Sequence, residues 1–345
     1  MGRRAMAAFL VTVLAAAGGA CGNDNADAFD DITDARAATD VEGRVLITGS
    51  STVEPVSTLV GEAFRAQNDR VAISVEGPGT GDGMARFCDG GAEITGASRP
   101  ISAPEIEACA ASGIDFVELA IGLDGVAVVV APGNPVECLT KADLYALVGP
   151  ESLGVDRWRD AEPLARELGS TTELPDENLV LTGPGEESGT YDSFVEQVLD
   201  PIAEQRVEAG ALDADAVGAA RADYAASAND NTIVDAVGAD PGGLGWVGFS
   251  YAAGAEGVRT VAVAETPDDA CVEPTVDSIR GGSYPIARTL YLYVAAEAAA
   301  RPEVAAVVDF YLAGLDDFLR ETEYVALADP AATVDRWDDR IAGPA

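Results

Sequence analysis

The chain of 345 residues contains no histidine and a single lysine, Lys141. Without histidine it cannot build a Ser-His-Asp triad, a Cys-His pair, a His-ligated zinc site or a histidine general base. Basic residues are scarce as well, because 21 Lys and Arg stand against 59 Asp and Glu, a formal net charge of −38. So acidic a surface repels nucleic acid and anionic lipid headgroups, and neither is an expected partner.

Long apolar runs are also lacking, although 48% of the residues are hydrophobic and can bury a core. The apolar stretch near the amino terminus, Ala7 to Gly18, follows Arg3 and Arg4. It is shorter than the about 20 residues that a membrane-spanning helix needs. The pattern is typical of an export signal, so residues 1–20 are predicted to be a signal peptide.

The end of this signal has small residues, Gly18 to Ala20, directly before Cys21. This resembles a lipoprotein signal, in which the cysteine becomes the lipidated first residue, although Gly18 stands where leucine is usual. Cleavage by ordinary signal peptidase, with Cys21 as a bystander, is the alternative. Residues 21–41 are rich in aspartate and lack apolar periodicity, which predicts an acidic, solvated tether. We expect an exported protein, lipid-anchored at the outer face of the cell membrane or periplasmic.

Four further cysteines are Cys88, Cys109, Cys138 and Cys271. An even number in an exported chain predicts two disulfides rather than a metal site. The 20, 28 and 132 residues between them match no CxxC zinc pattern. Free buried thiols are the alternative.

The first half of the chain alternates short apolar segments with polar turns and helical patterns. Its predicted strands are Arg44–Thr48, Val71–Val75, Ala92–Ala97, Phe116–Ile121 and Val126–Val130. The last two are separated by a predicted turn at Gly122–Gly125. Strand, turn and helix repeated in this way predict an α/β fold with a parallel sheet.

The second half is predicted to contain more helix and loop before two further strands. An Ala-rich helix is expected near 213–227, and strands at Gly243–Phe249 and Tyr284–Val294. Residues 302–318 have apolar side chains at helical spacing, which predicts a helix that packs on the core.

Four polar turns combine small hydroxyls or an arginine with glycines at predicted strand-to-helix junctions. They are Gly49–Thr52, Gly79–Gly83, Ser98–Arg99 and Glu187–Thr190. The start of a helix favours a bound anion because its N–H groups are unpaired and its dipole is positive there. Plain helix capping by Ser and Thr is the alternative for each turn. Neither a P-loop lysine nor a nucleophile elbow accompanies these turns.

Seven segments, taken in order, resemble the phosphate-binding proteins of bacterial high-affinity phosphate ABC transporters. They are GSSTVEPVS (49–57), GTGDGMARFC (79–88), ITGASRPI (94–101), LDGVAVVV (123–130), GEESGTYDSF (185–194), GLGWVGFSY (243–251) and YPIARTLYLYV (284–294). The resemblance implies a two-lobe, periplasmic-binding-protein-like α/β fold with two crossing strands as a hinge. Lobe I would comprise 42–124 and 252–345, and lobe II would comprise 125–251.

The same resemblance implies a function outside the membrane. The protein would capture inorganic phosphate between its lobes and deliver it to an ABC permease, as a monomer, without catalysis, cofactor or metal. Another oxyanion (sulfate, molybdate or arsenate) is the alternative ligand. A phosphohydrolase and a signalling surface lipoprotein are the alternatives of other classes.

The phosphate site implied by the resemblance takes residues from all four turns and from the LDG segment. The set is Ser51, Thr52, Val53, Thr80, Ser98, Arg99, Asp124, Ser188, Gly189 and Thr190. Arg99 would supply the positive charge, because Pro184 stands where some family members have arginine. Asp124 would accept the proton of phosphate, so that sulfate is rejected by two facing acceptors. The alternatives are a surface ion pair for Arg99 and an Asx-turn for Asp124.

The disulfides are expected to follow the lobes. Cys88 and Cys109 fall in the same part of lobe I, which predicts one pair. Cys138 and Cys271 then form the other pair, near the junction of the lobes.

Overall fold

The computed structural model describes Phe29 and residues 32–340. The predicted signal peptide, Cys21, and residues 22–28, 30 and 31 of the predicted tether lie outside the described residues. Residues 32–41 are not a solvated tether. Ala35 and Ala37 are buried, and the Gln67 side chain bonds to the backbone of both, at 3.1 and 3.0 Å. Small apolar side chains let this segment pack on lobe I, so the tether prediction is wrong for residues 32–41.

The described residues form eleven strands and fourteen α-helices. The strands are β1 (Gly43–Gly49), β2 (Val71–Val75), β3 (Ile94–Ala97), β4 (Phe116–Val130), β5 (Cys138–Thr140), β6 (Val180–Gly183), β7 (Ala225–Ala226), β8 (Gly243–Gly248), β9 (Arg259–Thr260), β10 (Ala262–Ala264) and β11 (Ala287–Ala295). The helices are α1 (Glu54–Gln67), α2 (Thr80–Cys88), α3 (Ala103–Ala111), α4 (Lys141–Val148), α5 (Glu162–Glu167), α6 (Gly189–Phe194), α7 (Asp200–Glu208), α8 (Asp230–Ala239), α9 (Phe249–Ala252), α10 (Val276–Arg280), α11 (Ala296–Ala299), α12 (Pro302–Ala313), α13 (Leu315–Glu321) and α14 (Pro330–Asp339).

Two helix predictions need correction. The Ala-rich segment 213–227 contains only a short 3₁₀ turn and β7, because Gly218 adopts φ +88°, a conformation that does not continue a right-handed helix. The predicted helix 302–318 is divided into α12 and α13 at Gly314. A Cβ there would lie 2.6 Å from the Phe318 ring, so glycine permits the close packing at this break.

The main sheet has the order β2-β1-β3-β11-β4-β8-β6-β7, with β9 paired to β4. Strands β1, β2 and β3 are parallel, as are β6, β7 and β8. Between these two groups, β11 runs antiparallel to β3 and β4, and β4 runs antiparallel to β8. The two parallel groups are thus joined through the pair β4 and β11.

Strand β4 is continuous over 15 residues, whereas the sequence predicted two strands and a turn. The glycines at the predicted turn serve close packing instead. A Cβ on Gly122 would lie 2.7 Å from Leu319, and one on Gly125 would lie 2.8 Å from Ile279. Asp124 is therefore a mid-strand residue, and its interpretation as an Asx-turn residue is wrong.

Two hydrophobic cores lie on either side of this strand pair. One contains Phe64, Leu292 and Phe310, and the other contains Trp158 and Trp246. Within β11, Leu290, Leu292 and Val294 pack into the first core, whereas Ile286, just before the strand, packs into the second. Strands β4 and β11 thus cross from one lobe to the other, as the predicted hinge requires.

The packing places the second lobe boundary later than predicted. Val261, Val263 and Tyr284 lie in the core of lobe II, β9 pairs with β4, and β10 pairs with β5. The expected start of the second lobe I segment at 252 does not follow this packing. We propose that the segment starts near 287, where β11 begins.

Both predicted disulfides are present. Cys88–Cys109 joins the end of α2 to α3 within lobe I. Cys138–Cys271 joins β5 to the segment after β10, and it lies within lobe II rather than at the junction of the lobes. Among residues 32–340, no helix is long and apolar enough to cross a membrane.

Candidate functional site

Three of the polar turns meet at one edge of the lobe I sheet, where β1, β2 and β3 end. Parallel strands bring the turns that follow them to the same edge, which is the common place for ligands in α/β proteins. Glycines let the turns approach closely. A Cβ on Gly83 would lie 2.2 Å from the Gly49 Cα, and Gly49 itself adopts φ +120°. Helix α2 is thereby packed against the turn that begins α1.

The second and third turns are joined by their hydroxyls. Thr80 Oγ1 and Ser98 Oγ lie 3.0 Å apart, and the Ser98 N–H donates to Thr80 Oγ1 at 3.2 Å. Both side chains are buried. Thr80 is the first residue of α2, whose first N–H groups have no partner within the helix. The structure thus brings these two predicted site residues together beside unpaired backbone donors.

The fourth turn belongs to lobe II and touches the first turn. Ser188 caps α6, since its Oγ accepts the Thr190 N–H at 3.2 Å. A Cβ on Gly189 would lie 3.3 Å from the Thr52 Cα. The Ser51 hydroxyl donates a hydrogen bond to the Asp192 carboxylate across the same contact. The two lobes are therefore in direct contact at the turns that carry Thr52 and Gly189.

Arg288 lies at this contact, and it is not among the site residues that the sequence predicts. Its Nη2 donates to Thr52 Oγ1 of lobe I and to Ser193 Oγ of lobe II, each at 2.8 Å. Its side chain is only 12% exposed, and it forms an ion pair with Glu196. The available signal was its charge within the otherwise apolar segment Tyr284–Val294, since a charge in a buried strand needs partners.

Asp124 lies behind Arg288, as its cross-strand neighbour on β4. The residue is 3% exposed, and its carboxylate accepts a hydrogen bond from the Ser193 hydroxyl. The Arg288 Nε lies 3.6 Å from its Oδ2. Burial raises the pKa of Asp124, and Arg288 opposes that shift. The carboxylate therefore fixes Ser193 and Arg288, and its direct contact with a ligand stays a prediction.

Arg99 forms an ion pair with Glu105, as in the alternative role given for it above, a surface ion pair. Its guanidinium donates twice to Glu105, at 2.8 and 2.7 Å, and its side chain is 44% exposed. The hydrogen bond from Arg99 lowers the pKa of Glu105 to about 2. Arg99 still lines the cleft between the lobes, but Glu105 accepts hydrogen bonds from both of its terminal nitrogens and the Pro100 carbonyl accepts one more.

A cleft of about 720 Å³ separates the lobes beside Arg288. One wall carries hydroxyls and cations, and the other carries three carboxylates of one continuous helical run. The lining residues are Pro78, Gly79, Thr80, Gly81, Asp82, Ser98, Arg99, Glu196, Gln197, Asp200, Pro201, Glu204 and Arg288. Within the part of the chain that the structure describes, no cluster of three or more Cys, Asp or Glu is placed to hold a metal ion.

Comparisons with known proteins agree with this architecture. A family model described as a PBP superfamily domain matches residues 34–314. Protein SphX of Synechococcus elongatus is 35% identical over 294 residues, which cover 84% of this chain and 80% of that protein. The phosphate-binding protein PstS of Staphylococcus saprophyticus is 30% identical over 254 residues, which cover 73% of this chain and 70% of the relative.

A solved structure extends the likeness to three dimensions. The crystal structure of a possible phosphate binding protein from Planctomyces limnophilus matches with a TM-score of 0.76 at 32% identity, covering 87% of this chain and 99% of that chain. The residues matched by the family model, 34–314, include strands β4 and β11 and all four polar turns. The chain therefore belongs to the PBP superfamily and, within it, to the family of the PstS-like phosphate-binding proteins.

Proposed function

We propose that the protein captures inorganic phosphate in the cleft between its lobes, outside the cytoplasmic membrane, and delivers it to an ABC permease without catalysing a reaction on it. Arg288 carries this proposal. It is a largely buried cation that hydroxyls of both lobes hold at the cleft. An anion that binds there contacts the hinge and both lobes at once, so its binding favours lobe closure.

The donors for the anion are proposed to come from several elements. Arg288 supplies the charge, and Thr80 and Ser98, which line the same cleft, supply hydroxyls. Thr52 and the first N–H groups of α2 complete a set suited to a tetrahedral oxyanion. Arg99 is proposed to act at the mouth of the cleft, where its charge contributes less because Glu105 is bound to it.

The remaining predicted residues are proposed to shape the site. Asp124 orients Arg288 and Ser193, Ser188 caps α6, and Gly189 allows the lobe contact. Val53 packs beneath the first turn, where Gly96 leaves room for its side chain. Thr190 follows the cap.

The net charge of −38 does not oppose this function. In physiological salt, charges beyond about 8–10 Å are largely screened, whereas N–H and O–H donors act at contact distance. Local donors therefore decide the affinity, and the overall charge mainly slows the encounter. We further propose that the protein is a monomer and that a lipid on Cys21 holds it at the membrane.

Calorimetric titration of the purified protein with phosphate and, separately, with sulfate tests the proposal. We expect a single phosphate site per chain and no measurable heat from sulfate at the same concentrations. Absence of phosphate binding contradicts the proposal. If sulfate, molybdate or arsenate binds as tightly as phosphate or more tightly, the ligand of the cleft is another oxyanion.

A further inference from the structure

Glu196 lies on the lobe II wall of the cleft, where it contacts Arg288, the cation that is proposed to bind the anion. It belongs to the π-helical segment Val195–Leu199, which joins α6 to α7 in one continuous run. Single π turns inside α-helices occur frequently at functional sites. The Glu196 side chain is 43% exposed, and its Oε2 pairs with Nη1 of Arg288.

The other nitrogens of Arg288 do not bond to this carboxylate. Nη2 is engaged by Thr52 and Ser193. Nε is buried without a hydrogen-bond partner among the described residues, 3.6 Å from Asp124. Nη1 is thus the nitrogen that meets a group of the cleft wall, and Glu196 occupies it.

We infer that Glu196 is an internal competitor for the bound anion, a residue that sets the affinity by holding Arg288 until the ligand replaces it. This rests on the proposed function of the cleft. A carboxylate and a phosphate oxygen seek the same guanidinium donors, so both cannot use Nη1 in the same geometry. The exposure of Glu196 leaves it free to turn into solvent when the anion arrives.

The expected size of the effect follows from the type of ion pair. An ion pair with one exposed partner contributes little free energy. Removing Glu196 as a competitor is therefore expected to tighten anion binding by about 3- to 10-fold. A carboxylate elsewhere on the same wall repels the anion only through screened, longer-range interaction. Glu204, two turns further along the helical run, lines the cleft too, and no ion pair joins it to Arg288 among the described residues.

Three variants separate contact from charge. Glu196→Gln removes the charge and the ion pair, Glu196→Asp keeps the charge but shortens the reach by one methylene, and Glu204→Gln removes a wall charge alone. Phosphate affinity is measured by calorimetry for each variant and for the unaltered protein. We expect about 3- to 10-fold tighter binding for Glu196→Gln, at least 2-fold for Glu196→Asp, and a change below 2-fold for Glu204→Gln.

The other outcomes overturn the inference. Unchanged affinity in Glu196→Gln shows that Glu196 does not compete, and weaker binding shows that it is itself a ligand that accepts the phosphate hydroxyl. If Glu204→Gln gains as much phosphate affinity as Glu196→Gln, or if Glu196→Asp gains none, the effect comes from the overall negative charge of the wall and not from the contact with Arg288. Failure of the unaltered protein to bind phosphate is a different result, because it contradicts the proposed function rather than the role of Glu196.

Discussion

The guanidinium of Arg288 lies 2.8 Å from the hydroxyl of Thr52, and this bond ties the hinge strand β11 to the first turn of lobe I. Ser193 receives the second hydrogen bond of the same nitrogen from the side of lobe II. Because both lobes fix this cation, its position depends on their closure. Closure and anion binding are therefore coupled through one side chain.

The first prediction compares the two arginines at the cleft. Arg288→Ala removes a largely desolvated cation, so we expect phosphate affinity to fall by about 30- to 1000-fold, or about 2–4 kcal/mol. Arg99→Ala is expected to cost less than about 5-fold, because Glu105 already engages its donors. Calorimetry measures both, and Arg288→Lys, which keeps the charge without the planar fork, is expected to lie between them. A larger loss in Arg99→Ala makes Arg99 the principal ligand.

The second prediction concerns Asp124, which holds both Ser193 and Arg288. Asp124→Asn leaves a group of the same shape but weakens the anchoring of the guanidinium, so phosphate affinity is expected to fall by about 10-fold, or about 1.4 kcal/mol. If Asp124 acts only by holding Arg288 and Ser193, sulfate binding stays negligible in the variant. If sulfate instead gains measurable affinity while phosphate loses it, Asp124 accepts the ligand proton directly.

The third prediction is a pH dependence of stability at Arg99 and Glu105. The folded-state pKa of Glu105, about 2, lies below its ordinary value of 4.5, so the pair stabilises the fold above pH 4.5 and the contribution is lost as the pH falls toward 2. Glu105 also completes the capping box of α3 with Ser102. Glu105→Gln is expected to lower the free energy of unfolding by about 1 kcal/mol at pH 7 and by nothing near pH 2.

Denaturant titrations at several pH values measure that difference. Glu107→Gln, at an exposed position in the same helix, is the matched control, and it is expected to change the free energy of unfolding by less than about 0.5 kcal/mol. A difference for Glu105→Gln that persists unchanged at pH 2 shows that the ion pair is not its source.

The sequence predicted elements well where a local pattern specifies them. Strands β1 and β2 follow from short apolar runs, and the turns from glycine and hydroxyl residues that begin helices. Gly122 and Gly125 predict a turn around Asp124, whereas the structure places Asp124 within β4. Those glycines are required by Leu319 and Ile279, which reach β4 from far along the chain, and no local pattern shows such a contact.

Arg288 was missed for a related physical reason. Its segment reads as an apolar strand, and the partners that allow a charge there, Thr52 and Ser193, are 236 and 95 residues away. Arg99 carried the visible arginine signal beside a polar turn. Its partner Glu105 is only six residues away, and local pairing of this kind is common at a surface.

The fourth prediction compares the disulfides. In the chain-entropy model a crosslink stabilises more when it closes a longer loop. Cys138–Cys271 spans 133 residues and Cys88–Cys109 spans 21, so their removal is expected to cost about 4–5 and about 3 kcal/mol. Paired Cys→Ala variants in guanidinium titrations measure the two costs. A larger loss for Cys88–Cys109 shows that local packing of α2 on α3 outweighs loop entropy.

The last prediction concerns Gly189, where lobe II meets lobe I. A Cβ at this position would lie 3.3 Å from the Thr52 Cα, which is tighter than ordinary van der Waals contact, and 3.4 Å from the Ser51 carbonyl oxygen. The neighbour is backbone, so it yields only if the lobes separate slightly about β4 and β11. Gly189→Ala is therefore expected to weaken phosphate binding by about 10-fold, while alanine is well tolerated at the start of a helix and the melting temperature stays within about 2 °C. Gly83→Ala is the contrasting variant, since its Cβ would lie 2.2 Å from the Gly49 Cα within lobe I and no hinge relieves that clash. Gly83→Ala is therefore expected to lower the melting temperature, unlike Gly189→Ala. If Gly189→Ala binds phosphate as tightly as the unaltered protein, the two turns need not touch in the bound state, and anion binding is not coupled to this contact.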